Sequence, residues 1–334
     1  MPKEIELGDA PSIRGLVFRP FGGPGDLRDF AAVRAACAVE DRVDDLSSVE
    51  GVPTLADLEK RMVVAEGFDP AHDVLVAEVD GQVVGYSSAI WWTETDGTWV
   101  YLTLGWVLPQ WRGRGIGTAM LHWTEGRLRD LAASHPTQGK AFLAANASET
   151  ETDTAALLRC EGYRPAFSVI ELGMDDLTGL RAAPLPKGFL TRPLHSCDLP
   201  DLHRSMDQAY VGHAFSETPP YEEWAARQTD LGTWHVAWDT ATEAIAGQVQ
   251  AVLYKGRGEV AEVSVGAPYR RRGLGRALLS RALLALREQG VQEARIHTLA
   301  ENPHQSWHLY EKVGFRVLKR FPRYRKSMQS VPAS

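Results

Sequence analysis

The chain has 334 residues and a formal net charge of −7, with 44% hydrophobic and 24% charged residues. This balance is typical of a soluble globular protein of about two domains, and it disfavours nucleic acid as the main partner. No apolar run approaches the roughly 18 residues of a membrane span, and the acidic first residues do not resemble a secretory signal, so we expect a cytoplasmic protein with no membrane partner.

The first half of the chain alternates strands and helices. Valines around Asp80-Gly81 predict a hairpin, because this dipeptide readily adopts the left-handed backbone of a tight turn. A later strand runs through a proline into the motif R-x-x-G-x-G, written here Arg112-Gly113-Arg114-Gly115-Ile116-Gly117. The predicted elements are a strand at 17–20, a helix at 26–39, a hairpin at 74–86, a strand at 99–107, a helix after the glycine motif, a strand at 141–145 and a helix ending at Gly162-Tyr163.

The second half repeats this order around Arg270-Arg271-Arg272-Gly273-Leu274-Gly275. Its predicted elements are a strand at 190–193, a helix at 198–210, strands at 234–239 and 246–251, a strand at 259–265, a helix from 274, a strand at 294–299 and a helix ending at Gly314-Phe315. The stretch 176–188 contains two prolines and no periodicity. We therefore predict domains at 1–175 and 189–330, joined by a linker at 176–188.

The two glycine turns are suited to holding an anion. A glycine-rich turn that runs into a helix directs several backbone N–H groups at one point, and the helix dipole favours negative charge there. The alternative is that the turns only cap their helices. Two histidines, His304 and His308, stand four residues apart, but no third ligand accompanies them, so we expect no metal site.

The order strand, helix, hairpin, strand, R-x-x-G-x-G, helix, strand, helix and Gly-aromatic resembles the GCN5-related N-acetyltransferase (GNAT) family, in two tandem copies. The resemblance implies an α/β (α+β) fold in which each domain has a mixed, mostly antiparallel sheet flanked by helices. It also implies that the glycine turn holds the pyrophosphate of acetyl-coenzyme A, while the preceding strand bonds the pantetheine arm. The implied cofactor-binding residues are Val263, Val265, Arg270, Arg271, Arg272, Gly273, Leu274, Gly275, Arg276 and Asn302 in the second half, and Val107, Arg112, Gly113, Arg114, Gly115 and Gly117 in the first.

Members of this family commonly use a strand carboxylate as base and a tyrosine of the last helix as acid. Carried over, the acid is Tyr310 and the base is Glu259, with Glu262 in reserve. Strand periodicity of two predicts that Glu259 shares a face with Val263 and Val265, unless a β-bulge intervenes. The first half has Leu158 at the tyrosine position, so we expect a degenerate first domain and a catalytic second one.

The expected reaction is acetyl transfer to a primary amine of a small molecule by direct attack, in a monomer or homodimer. Candidate acceptor contacts are His213, Glu217 and Tyr221, which follow the first helix of the second half. Two alternatives stay open. The chain could be a non-catalytic acyl-coenzyme A sensor or scaffold, or it could acetylate a protein or peptide.

Overall fold

The computed structural model describes residues 4–65, 67–94, 96–135, 139–211, 219–302 and 306–328. The chain divides into two compact units. Unit 1 comprises Met1–Phe167 and Phe321–Ser334, and unit 2 comprises Ser168–Arg320. None of the helices in the described ranges is long and apolar enough to cross a membrane.

Unit 1 contains most of the first sequence repeat. Its elements are β1 (Leu16–Pro20), α1 (Asp26–Glu40), α2 (Leu55–Arg61), α3 (Pro70–Asp73), β2 (Val74–Val79), β3 (Gln82–Thr93), β4 (Trp99–Val107), α4 (Ile116–Ala133), β5 (Ala141–Asn146) and α5 (Thr152–Cys160). The strand β6 (Arg164–Met174) begins in this unit and continues into unit 2. The hairpin between β2 and β3 turns at Asp80 and Gly81, both with positive φ, as the sequence predicts.

Unit 2 repeats the arrangement. Its further elements are β7 (Phe189–Thr191), α6 (Leu199–Tyr210), α7 (Tyr221–Ala226), β8 (Trp234–Asp239), β9 (Ile245–Tyr254), β10 (Arg257–Val265), α8 (Leu274–Glu288), β11 (Ala294–Leu299) and α9 (Trp307–Val313). The strand β12 (Arg316–Ser327) begins in this unit and continues into unit 1. The leucines of α8 at positions 274, 278, 279, 283 and 286 are buried against the sheet. Their helical spacing is the reason that this segment forms an amphipathic helix.

Each unit has a mixed sheet in which one pair of strands is parallel and the others are antiparallel. The strand order is β1-β2-β3-β4-β5-β12 in unit 1 and β6-β11-β10-β9-β8-β7 in unit 2. The parallel pairs are β4 with β5 and β10 with β11. The predicted fold class, with two mixed sheets flanked by helices, is confirmed.

The last strands of the two repeats are exchanged. The strand that follows α5, β6, pairs with β11 in unit 2, whereas the end of β12 returns to unit 1 and pairs with β5. The compact units therefore differ from the predicted domains at 1–175 and 189–330. The stretch 176–188, predicted as a linker, contributes Leu177 to the core of unit 2, and Arg287 Nη1 donates to the carbonyl oxygens of Leu177 and Leu180.

Candidate active site

A crevice of about 440 Å³ opens in unit 2 where β10 and β11 separate. The two strands pair in parallel from Gly258–Ala294 to Val260–Ile296, and beyond that pair β10 keeps β9 as its neighbour. The polar side chains that line the crevice are Tyr210, Glu262, Ser264, Arg270, His297, Thr298, Asn302, Ser306 and Tyr310. A strand with one free side presents unused backbone N–H and C=O groups to this space.

A β-bulge decides which strand residues face the crevice. The register of β10 against β9 shifts between Val260 and Glu262, so Ala261 is the additional residue. As a result Val260, Val263 and Val265 pack towards the core, and Glu259 and Glu262 share the opposite face. The predicted placement of Glu259 on one face with Val263 and Val265 is wrong, because the bulge reverses the parity of the strand.

Glu262 is the carboxylate that the structure places on the crevice wall. Its Oε1 accepts a hydrogen bond of 2.7 Å from the hydroxyl of Tyr210, the last residue of α6. Burial raises the pKa of Glu262 above its ordinary value, and donation by Tyr210 acts against that shift. A carboxyl with a raised pKa is better matched to accepting a proton near neutral pH than an exposed one.

Glu259 lies three residues earlier and does not line the crevice. Its Oε1 is 3.8 Å from Nδ1 of His297, and Nε2 of His297 is 3.4 Å from Oε1 of Glu171 on β6. Glu259 thus belongs to a cluster of polar side chains on β10, β11 and β6, and His297, which also lines the crevice, connects this cluster to it.

Tyr310 is placed on α9, at the same crevice as Glu262. It is only 4% exposed, and burial raises the pKa of its hydroxyl, while hydrogen bonding to Ser306 acts in the opposite direction. Ser306 also accepts a 3.1 Å hydrogen bond from Nδ2 of Asn302. The structure therefore brings Glu262, Tyr310 and Asn302 to one cavity, which Val263, Val265 and Arg270 of the predicted cofactor-binding set also line.

The turn before α8 is built to expose backbone donors. Arg271 and Gly273 have φ of 59° and 85°, and Gly273 forms the N-terminal cap of α8 without a side-chain hydrogen bond. Alternating left-handed residues directly before a helix turn successive N–H groups towards one point. The other glycine, Gly275, faces inwards, since a β-carbon there would lie 3.1 Å from Cδ2 of Leu309.

The side chains around this turn have different surroundings. Arg270 donates from Nε to the carbonyl of Val265 at 2.9 Å and from Nη2 to that of Ala209 at 2.9 Å, so it ties α6 to the end of β10. The guanidinium of Arg272 lies 4.4 Å from the ring centroid of Phe189. Leu274 is buried in the core, whereas Arg271 and Arg276 are exposed.

Unit 1 has a turn of the same conformation. Gly113 and Gly115 have φ of 68° and 87°, the counterparts of Arg271 and Gly273, and a β-carbon at Gly117 would lie 3.5 Å from Cδ2 of Leu157. Val107 ends β4, and its carbonyl accepts from Nε of Arg112 at 3.1 Å.

The arginines of that turn are engaged with the protein. Both terminal nitrogens of Arg112 bond Asp41 at 2.7 Å, and Arg114 lies 4.8 Å from the ring centroid of Trp111. The first arginine of each motif thus fastens the end of the strand to the end of the unit's first long helix.

Aromatic rings pack together on the face of unit 1 that corresponds to the crevice. Aligning Val107 with Val265 puts Leu104 where unit 2 has Glu262 and Trp106 where it has Ser264. Trp106 lies 5.1 Å from Tyr86, which stacks on Phe30 at 3.9 Å. Leu158, at the position of Tyr310, is buried in the core. Unit 1 has neither proton-transferring side chain at these positions.

The candidate acceptor contacts are not assembled at the crevice in the described ranges. Tyr221 begins α7, where its ring packs 5.6 Å from His203, and it is not among the crevice residues. His213 and Glu217 lie outside the described residues. The segment 210–221 is where the sequence predicts acceptor contacts, and Tyr210, which is not one of the three candidates, is the described residue of that segment that reaches the crevice.

Comparisons with known proteins agree with this geometry. Residues 40–138 and 199–315 match the family model described as the acetyltransferase (GNAT) family. A mycothiol acetyltransferase of Beutenbergia cavernae is 28% identical over 295 residues, which cover 83% of this chain and 90% of the relative. The solved GCN5-related N-acetyltransferase of Sphaerobacter thermophilus has a TM-score of 0.75 at 23% identity, covering 94% of this chain and 96% of that chain. A tandem GNAT protein from the clavulanic acid biosynthesis pathway has a TM-score of 0.65 at 19% identity, covering 94% and 99%.

Proposed function

Since the chain belongs to the GNAT acetyltransferase family and is an N-acetyltransferase, we propose that unit 2 transfers the acetyl group of acetyl-coenzyme A to a primary amine of a small molecule. The observation that carries this proposal is the gathering of Glu262 and Tyr310 at the crevice where β10 and β11 separate. The name of the relatives, mycothiol acetyltransferase, favours a small acceptor over a protein.

The residues around the turn fit a coenzyme A pyrophosphate. The N–H groups at the start of α8 form the cradle, and Arg271 and Arg276, both exposed beside it, supply positive charge. Gly273 supplies the left-handed backbone of the turn, and Gly275 lets α8 pack close to the side chain of Leu309 on α9. We assign Arg270 and Arg112 a supporting role in place of the predicted phosphate contact, because their guanidinium groups bond protein oxygens.

Acetyl-coenzyme A supplies the acyl group as a thioester, and the chain's residues manage two protons. We assign the base to Glu262 in place of Glu259, since Glu262 lines the crevice. Its carboxylate takes a proton from the acceptor ammonium, which frees the nitrogen lone pair for attack. Attack forms the C–N bond while backbone N–H groups of β10 beyond the bulge stabilise the developing oxyanion, and the C–S bond breaks as the hydroxyl of Tyr310 donates its proton to the departing thiolate. The second proton that the nitrogen loses on becoming an amide restores the Tyr310 hydroxyl, so the net reaction releases one proton, the one that Glu262 accepted.

Unit 1 is proposed to be a degenerate copy. It keeps the conformation of the turn but has Leu104 and Leu158 where unit 2 has its base and acid. Leucine can neither accept nor donate a proton, so acetyl transfer by unit 1 is not expected. Whether its turn binds coenzyme A is decided by measuring the number of sites per chain.

The test is release of coenzyme A thiol from acetyl-coenzyme A with a panel of small amines, with basic peptides as a second panel. We expect turnover with at least one small amine and a stoichiometric N-acetyl product. Binding of acetyl-coenzyme A without turnover on either panel would support the sensor alternative, and turnover restricted to peptides would support the protein-modifying one.

A further inference from the structure

The last residue of α6, Tyr210, directs its hydroxyl at the carboxylate of the proposed base. The distance from Tyr210 Oη to Glu262 Oε1 is 2.7 Å, although 52 residues separate the two in the chain. Both residues line the crevice, and burial raises the pKa of each of them. A buried hydroxyl that donates to a carboxylate favours the charged form of that carboxylate.

We propose that Tyr210 is a positioning residue for acetyl transfer: its hydroxyl fixes Oε1 of Glu262 and leaves Oε2 as the oxygen that takes the proton from the acceptor amine. This inference rests on the proposed function of Glu262 as base. It adds a residue of α6 to the base and acid, which the sequence places on β10 and α9.

The fold does not require this hydroxyl to hold α6 in place. Arg270 already ties the end of the helix to the end of β10, by donating to the carbonyls of Ala209 and Val265. On its buried side, α6 packs through Leu202 and Met206 into an apolar cluster. A polar contact that is redundant for anchoring the helix is better explained by its effect on the carboxylate.

Other titratable groups also face Glu262 and enter its pH dependence. Among the described residues of the crevice they are Tyr310 from α9, His297 from β11 and Arg270 from the turn after β10, and Glu259 lies on the same strand face. Removal of the Tyr210 hydroxyl leaves all of these groups unchanged. A change in the titration of Glu262 on that substitution is therefore attributable to the hydrogen bond.

The test is the pH profile of kcat/KM for the Tyr210→Phe variant with the best amine. Loss of a hydrogen bond to a charged group is worth about 1.5–3 kcal/mol, so we expect kcat/KM at neutral pH to fall about tenfold or more. The acidic limb should move to higher pH, since the carboxylate loses a donor that favours its charged form. The KM for acetyl-coenzyme A should stay unchanged. The matched control is Tyr324→Phe, a buried tyrosine of unit 1 whose hydroxyl lies 3.4 Å from Nη2 of Arg159.

A second measurement separates this inference from the proposed function. Thermal stability of wild type, Tyr210→Phe, Glu262→Gln and the double variant is followed against pH, which reports titration of Glu262 without turnover. If no amine is acetylated but Tyr210→Phe still shifts the Glu262-dependent change in thermal stability to higher pH, the hydrogen bond between Tyr210 and Glu262 is supported and the proposed role of Glu262 as base is refuted. The positioning role is refuted if the acidic limb and the stability transition of Tyr210→Phe both coincide with those of the wild type. It is also refuted if Tyr210→Phe lowers turnover by the same factor in the Glu262→Gln background as in the wild type.

Discussion

Replacement of Glu262 by glutamine tests the proposed base most directly. Glutamine keeps the volume of the side chain and an oxygen that can accept from Tyr210, so the change removes mainly the ability to take a proton. General-base catalysis is worth about 10²–10⁴-fold in rate, or about 3–5 kcal/mol of barrier. Glu262 is the one carboxylate among the described crevice residues, so no neighbour described there can replace it. We therefore expect kcat to fall at least about a hundredfold.

The same substitution, which should lower kcat, should raise the melting temperature at high pH. Burial raises the pKa of Glu262 in the folded protein above its unfolded value. Its stabilising contribution is complete below the unfolded pKa and is lost as pH rises through the folded pKa. The glutamine variant carries no such penalty, so its melting temperature should exceed that of the wild type at high pH, and the difference should shrink as pH falls.

The comparison variant is Glu259→Gln, on the same strand face but outside the crevice. Thiol release under saturating acetyl-coenzyme A gives kcat for both variants, and calorimetry gives their melting temperatures across pH. We expect Glu259→Gln to change kcat far less than Glu262→Gln. An equal loss in both variants, or a loss confined to Glu259→Gln, would refute the argument from the bulge.

Four further substitutions probe the acid and the turn. Tyr310→Phe should lower kcat about a hundredfold with little change in the KM for acetyl-coenzyme A, and an unchanged kcat would remove the proposed acid. Gly273→Ala places a side chain at a φ of 85°, so it should raise the KM for acetyl-coenzyme A and lower the melting temperature. The control is Gly275→Ala, whose β-carbon would approach the flexible tip of Leu309 and should leave this KM within about threefold. Arg271→Gly removes a positive charge and should therefore raise the KM for acetyl-coenzyme A. It also relieves left-handed backbone strain of about 1–2 kcal/mol, so the melting temperature should not fall. A clear drop in melting temperature would show that this turn is unstrained.

The order of elements could be read from the sequence because each signal is local. Leucines at helical spacing predicted α8, the Asp80-Gly81 dipeptide predicted the first hairpin, and the two glycine motifs marked the turns that both prove to have left-handed residues. The placement of Tyr310 at a cavity also agrees with its position in the repeat.

The features that the sequence did not reveal depend on residues distant in the chain. Nothing in the identity of Ala261 indicates a bulge, because an additional residue in a strand is defined only against its partner, β9. The engagement of Arg112 by Asp41 spans 71 residues, and that of Glu262 by Tyr210 spans 52. Local patterns therefore indicated the strand that lines the candidate site, whereas strand pairing determines that Glu262 and not Glu259 lines the crevice.

Because β6 pairs with β11 and β12 pairs with β5, the two repeats cannot be separated without breaking a sheet. A polypeptide starting at residue 189 would leave β11 with an open edge where β6 should lie, and one ending at residue 175 would leave β5 with an open edge where β12 should lie. We therefore expect neither repeat to fold autonomously, and truncation at the repeat boundary to yield aggregation-prone fragments. Deleting the first repeat would take a strand from the sheet that holds the candidate site.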